Sequence, residues 1–267
     1  MITGRATALS GAFTLAIGLF LSFLPNDLPR WVIVALLAVG ASTWAFASLV
    51  FRSIKEPAED PSPKSKENWA KQTYDLVKGD RQLQRFLVVR SLMLVTALST
   101  PFIVVLAQTE GADLSSLGAF IIASGGAALL GGRISGVFSD RSSKTTMAWA
   151  AGVASTSLLL LVASANLLPA AANAWIMPIG FFVVNLAHTA VRVSRKTYLV
   201  DMADGDRRTL ITGAANTVMG VVLLLVGALS SAISVFGPQT TLIFLAIVGF
   251  IGVASAANLK DVSSGAA

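Results

Sequence analysis

The sequence predicts an all-α, polytopic membrane protein with about eight transmembrane helices, and three observations carry that prediction. Apolar runs recur along the chain, each close to the roughly 20 residues that a helix needs to cross about 30 Å of hydrocarbon. Lys and Arg gather in alternate connections between those runs, the pattern of a chain that weaves back and forth through a bilayer. Finally, 54% hydrophobic and only 13% charged residues, with a mean hydropathy of +0.73, leave too little polar surface to cover a soluble globule.

In chain order the apolar runs are 5–24, 31–51, 86–107, 115–138, 146–164, 171–192, 209–233 and 238–258. The first, preceded by Arg5, has the outline of a signal peptide, but no small-x-small cleavage site follows and a second run begins within a few residues. Of the 20 basic residues, only Arg30, beside Asp27, falls in a connection assigned to the outside. The linkers 52–85, 139–145 and 193–208 hold most of the others and are expected on the cytoplasmic side, with both termini. The connections 108–115, 166–173 and 237–239 carry no base. Trp31 and Trp175 at outer helix ends and Trp149 at an inner one suit an aromatic belt; Trp44, within its run, does not.

Composition shifts once, over 52–85. Glu56, Glu59 and Asp60 alternate with Pro57, Pro61 and Pro63, and Lys64, Lys66 and Glu67 lead into a weakly amphipathic stretch around Trp69, Tyr74, Leu76 and Val77. The first part reads as a flexible tether, the second as a helix in the headgroup layer or an equally solvated tether. The expected division is therefore 1–51 with two transmembrane helices, 52–85 as a cytoplasmic linker, and 86–267 as a six-helix bundle with a short tail.

The residue types present exclude much chemistry. There is no Cys and a single His, which leaves no disulfide, no thiol nucleophile and no zinc cluster, so neither metal nor cofactor is expected. No Gly-x-Ser-x-Gly elbow or Gly-x-x-x-x-Gly-Lys-(Ser/Thr) loop occurs, and His188 has no evident nucleophile beside it. An enzyme is not expected. Nor is a nucleic-acid partner, because the bases behind the net charge of +6 mark one side of a membrane.

The segment Gly131-Gly132-Arg133-Ile134-Ser135-Gly136-Val137-Phe138-Ser139-Asp140-Arg141-Ser142-Ser143-Lys144 is a charged turn between two apolar runs. It resembles the cytoplasmic signature loop of the major facilitator superfamily of secondary transporters, Gly-x-x-x-Asp-(Arg/Lys)-x-Gly-(Arg/Lys)-(Arg/Lys). Gly136, Asp140, Arg141 and Lys144 fit, while Ser143 replaces the second Gly and Thr145 the last base. Tyr198-Leu199-Val200-Asp201, with Asp204, Asp206, Arg207 and Arg208, is similar to the loop before the penultimate helix of family members. The resemblance implies a partial major facilitator fold holding the last eight of twelve helices, with 52–85 as the central loop. It also implies a location in a bacterial inner (plasma) membrane.

Glycines recur every seven residues in three helices: Gly4, Gly11 and Gly18; Gly118, Gly125 and Gly132; Gly213, Gly220 and Gly227. A seven-residue step drifts only about 20° around a helix, so each set forms a nearly straight groove suited to close helix approach in lipid. The resemblance implies contact between the first and fourth helices, with Asp140 near the positive N-terminus of the first. Arg141 and Lys144 would hold neighbouring helix ends or lipid phosphates. The third stripe is expected to be unpaired within the chain unless a second chain or further N-terminal helices cover it.

No Asp or Glu falls inside any run, so the functional candidates are cations and amides. Arg90, about one turn into its helix, suits an anionic substrate, a cytoplasmic gate or snorkelling to headgroups. Arg133 suits packing beside the signature loop. Asn185, His188 and Arg192 share one face of the sixth helix, as a cavity-lining strip or as interhelical hydrogen bonds. Thr96, Ser99, Thr100, Gln108 and Asn216 are weaker candidates, and Pro101 and Pro178 are sites of potential helix breaks. The function expected is secondary active transport of an unidentified small solute by alternating access. A transporter fragment or a membrane scaffold without activity of its own is the alternative.

Overall fold

A computed structural model of the chain describes residues 2–23, 30–54, 69–111, 117–203 and 205–263. Among these residues the secondary structure is helical: α1 (Ile2–Ser22), α2 (Arg30–Arg52), α3 (Trp69–Gly79), α4 (Arg81–Leu92), α5 (Val95–Thr109), α6 (Leu117–Arg141), α7 (Ser143–Leu167), α8 (Ala170–Asp201), α9 (Asp206–Ile233) and α10 (Pro238–Ala256). Seven helical segments are long and apolar enough to cross a membrane, α4 and α5 counting as one. The protein is thus all-α and polytopic. The remaining expected crossing falls on α1, 21 residues long and apolar from Leu9 to Phe20. The acidic and proline-rich part of the linker, 55–68, lies outside the described residues, as do Asp27 and Asp204.

Helix boundaries depart from the apolar runs where polar groups, invisible to hydropathy, set them. The third crossing starts at Arg81 because Asp80 caps it: its Oδ1 accepts from the backbone N–H groups of Gln82 at 2.9 Å and Leu83 at 3.0 Å. That crossing is interrupted at Met93–Leu94, well before Pro101. Pro101 and Pro178 themselves lie inside uninterrupted helices, so neither potential break interrupts its helix. The expected connection 139–145 is also much shorter. Helix α6 runs through Gly136 to Arg141, leaving Ser142 alone in the turn, where its Oγ accepts from the Thr145 N–H at 3.2 Å and caps α7.

The sixth crossing differs most. α8 continues nine residues past the expected end at Arg192, to Asp201, and its 32 residues span roughly 48 Å, well beyond the hydrocarbon. Tyr198 and Leu199, assigned from the resemblance to a loop, are buried in this helix. The Tyr198 ring stacks on Phe86 at 5.0 Å, and its hydroxyl donates to the Lys260 carbonyl at 2.9 Å. An aromatic with a satisfied polar tip makes a stable junction between a core and a wet boundary.

Two apolar clusters form the interior. One, around Phe86, Met93, Met147, Tyr198 and Ile211, lies at the end of the bundle where α4 and α9 begin and α8 ends. The other, around Ile103, Phe120, Leu158, Phe181 and Leu242, lies at the opposite end. Large apolar side chains also cover the outside: Trp31, Trp44, Trp149 and Trp175 are all more than 70% exposed, as a lipid-facing surface requires. Two broad apolar grooves, between α7 and α10 and between α6, α7 and α8, belong to this surface and share Trp149.

The expected contact between the first and fourth crossings is present as α1 against α6. A methyl group added at Gly11 would lie 2.6 Å from the Leu129 nitrogen, and one at Gly125 would lie 2.6 Å from the Leu15 nitrogen. Gly18 faces Ile121 and Ile122, so the two helices run antiparallel. Gly118 and Gly132 are buried, and Gly4 lies in the first turns of α1, outside the residues whose packing is described. The antiparallel register carries Asp140 to the same end of the bundle as the α1 N-terminus. The surroundings of that N-terminus are likewise outside the described packing. A methyl group added at Gly213, Gly220 or Gly227 on α9 would meet nothing within 4 Å among the described residues, in line with the expectation of an uncovered stripe.

Candidate functional site: a basic strip across α4, α8 and α9

Helical spacing brings four side chains of α8 onto one face: Asn185, His188, Arg192 and Arg195. Each is partly buried. Asn185 turns back on its own helix, its Nδ2 donating to the Phe181 carbonyl at 2.9 Å. His188 Nδ1 lies 3.1 Å from Thr96 Oγ1, which joins α8 to α5. Interhelical bonding thus describes His188, whereas Arg192 and Arg195 have neither hydrogen bond nor ion pair among the described residues.

Arg90 approaches from α4. Its Nη2 donates to Asn216 Oδ1 on α9 at 3.1 Å, while its Nε is buried without a partner. The guanidinium is thus engaged by a neighbouring helix. Arg195 lies close enough for its charge to act on Arg90 and on His188, and Arg192 close enough to act on His188 and Arg195. The only ion pair among the described residues is elsewhere, between Arg207 and Asp80 at 2.8 Å. Arg195 thus lies near both Arg90 and Arg192, and none of the three is paired with a carboxylate among the described residues.

Asn216 lies between Gly213 and Gly220 on the uncovered stripe of α9, so the strip opens onto that bare face. Ser99, one turn along α5 from Thr96, is buried with its Oγ unpartnered. The side chains of Thr100 and Gln108 join no polar contact among the described residues, and neither extends the strip. Arg195 was absent from the sequence-based candidates because its helix was expected to end at Arg192. Counting on from His188 by four and then three residues would have found it.

In the signature-like segment a base and two serines make the contacts. Lys144 Nζ donates to the carbonyls of Ala257 at 3.0 Å and Leu259 at 2.6 Å, holding the C-terminal end of α10 as expected of a base near a neighbouring helix end. Ser142 Oγ donates to Asp261 Oδ2 at 2.8 Å, and Ser143 N–H to Ser263 Oγ at 3.0 Å, so the tail is tied across the α6–α7 turn. Asp140 and Arg141 are exposed and unpaired among the described residues. Gly136 has open space around it. Arg133 is exposed on α6 rather than packed beside the turn, which corrects that expectation: the continuous helix points it outward. No group of three or more His, Asp or Glu among the described residues could hold a metal ion.

No protein-family model matches the sequence, and no curated protein matches it significantly.

Proposed function

We propose that the chain is a secondary active transporter of a small solute that works by alternating access, with a fold of the major facilitator type and cytoplasmic termini. The observation that carries this reading is the strip of Arg90, His188, Arg192, Arg195 and Asn216. A polar, charged surface among membrane-spanning helices is costly unless it faces water or a solute. Its position beside a glycine-lined helix face that no described residue covers suits a pathway between two bundles. The signature-like residues Gly136, Asp140, Arg141 and Lys144 support the same family.

The test is reconstitution of the purified chain in proteoliposomes and measurement of counterflow for a panel of anionic, neutral and cationic small solutes. Saturable flux of at least one is expected, and absence of flux for all overturns the reading. A second reading, a fragment or scaffold inactive alone, is favoured by α2, whose apolar window buries none of its surface. It predicts flux only when further helices are co-reconstituted, or none.

A further inference from the structure

We propose that Arg90, Arg192, Arg195 and Asn216 form an oxyanion-binding site, taking a phosphate or carboxylate group from a small soluble solute or the phosphate of a lipid headgroup. This names the substrate class for the transport reading and rests on it only for the soluble solute. Guanidinium groups bind such oxyanions through paired, charge-assisted N–H donors. Asn216 offers one acceptor to one of the five donors of Arg90, which leaves the buried Nε without a partner. The Asn216 amide nitrogen, which makes no hydrogen bond among the described residues, adds two further donors.

Arg192 and Arg195 have no bonding partner among the described residues; they share one face of α8, and Arg195 is close enough for its charge to act on Arg90. A protein counter-charge is missing where the charges demand one, and a bound anion supplies it. Arg90 and Asn216 lie roughly 15 Å of helix from the starts of α4 and α9, and Arg195 is two turns before the end of α8. All three elements bring their groups to the same end of the bundle. The opening toward the bare α9 face gives a ligand access, since nothing lies within 4 Å of Gly213 or Gly220.

Arginine modification by phenylglyoxal, mapped residue by residue by mass spectrometry, tests the site in the full chain without requiring transport. In dodecyl maltoside micelles, which hold no phosphate, inorganic phosphate or succinate at saturation is expected to slow modification of Arg90 and Arg195 about tenfold relative to chloride at matched ionic strength. The exposed Arg133 should be unaffected. Protection by the soluble probes assigns a solute site; protection only on adding phosphatidylglycerol assigns a lipid headgroup. Arg195→Gln should abolish protection at Arg90, and if that variant does not fold, the wild-type map still decides. Equal modification in every arm, or equal protection of Arg133, overturns the site. Flux without protection would leave the transporter standing and remove only the anion.

Discussion

On α1 and α6 the glycines spaced seven apart face one another, so closely that Gly11 and Gly125 leave no room for a methyl group; on α9 the same spacing faces nothing within 4 Å. The attachment of the two regions differs accordingly. α1 is held by backbone approach, in which many small dispersion contacts accumulate along a groove. α9 buries only 11% of its apolar window, against 44% for α7. It packs Ile211, Ala215 and Met219 into the core near its start, and polar ties add to that hold: Arg207 to Asp80 and Asn216 to Arg90. A glycine repeat therefore specifies a surface to which a helix can come close, and not whether one does.

The largest expected effect comes from filling the occupied groove. Gly125→Leu places a side chain where the Leu15 backbone already lies, and neither backbone can yield without separating the helices. Overpacking of this kind should cost about 3 kcal/mol. It should appear as an earlier midpoint in detergent-induced unfolding and as faster hydrogen exchange along α1, with α9 unchanged. Unaltered exchange in α1 would break the comparison at its stronger end.

A smaller effect is expected where α9 is tied by charge. Asp80→Ala removes the two cap hydrogen bonds of α4, worth about 1 kcal/mol together, and also frees Arg207. Arg207→Ala removes the ion pair alone, and because that side chain is 61% exposed its loss should cost under about 0.5 kcal/mol. The pair of variants separates the two contributions. Both should raise hydrogen exchange in the first turns of α9 while leaving α1 unaffected, and only Asp80→Ala should do so in α4.

Most crossings were legible in the sequence because hydropathy over a window reports burial in lipid directly. What it missed were boundaries fixed by single polar groups. Asp80 starts a helix five residues before the apolar run, and Ser142 reduces a charged connection to one residue. The extension of α8 to Asp201 was hidden because Arg192, Arg195 and Lys196 end the apolar run without ending the helix. That concealed Arg195, and with it the central charge of the strip. Asn185, His188 and Arg192 were placed on one face correctly, since helical phase alone decides it. Their partners were not predictable, because Thr96 and Asn216 come from helices whose relative rotation no local pattern encodes.

The smallest effect on folding is also the sharpest check of the contrast. Gly220→Leu makes on α9 the change that Gly125→Leu makes on α6, in a helix of similar apolarity, but meets open space. Leucine also suits a helix better than glycine by roughly 0.8 kcal/mol. Stability of the isolated chain should therefore be unchanged or slightly raised, as measured by the same unfolding midpoint. If other helices close on this face during transport, the variant should lose flux while keeping its fold, because the added side chain blocks an approach that only backbone-to-backbone contact permits. A drop in stability comparable to that of Gly125→Leu would mean that α9 is covered within the chain itself. Unchanged stability together with unchanged flux would mean that its stripe faces lipid throughout.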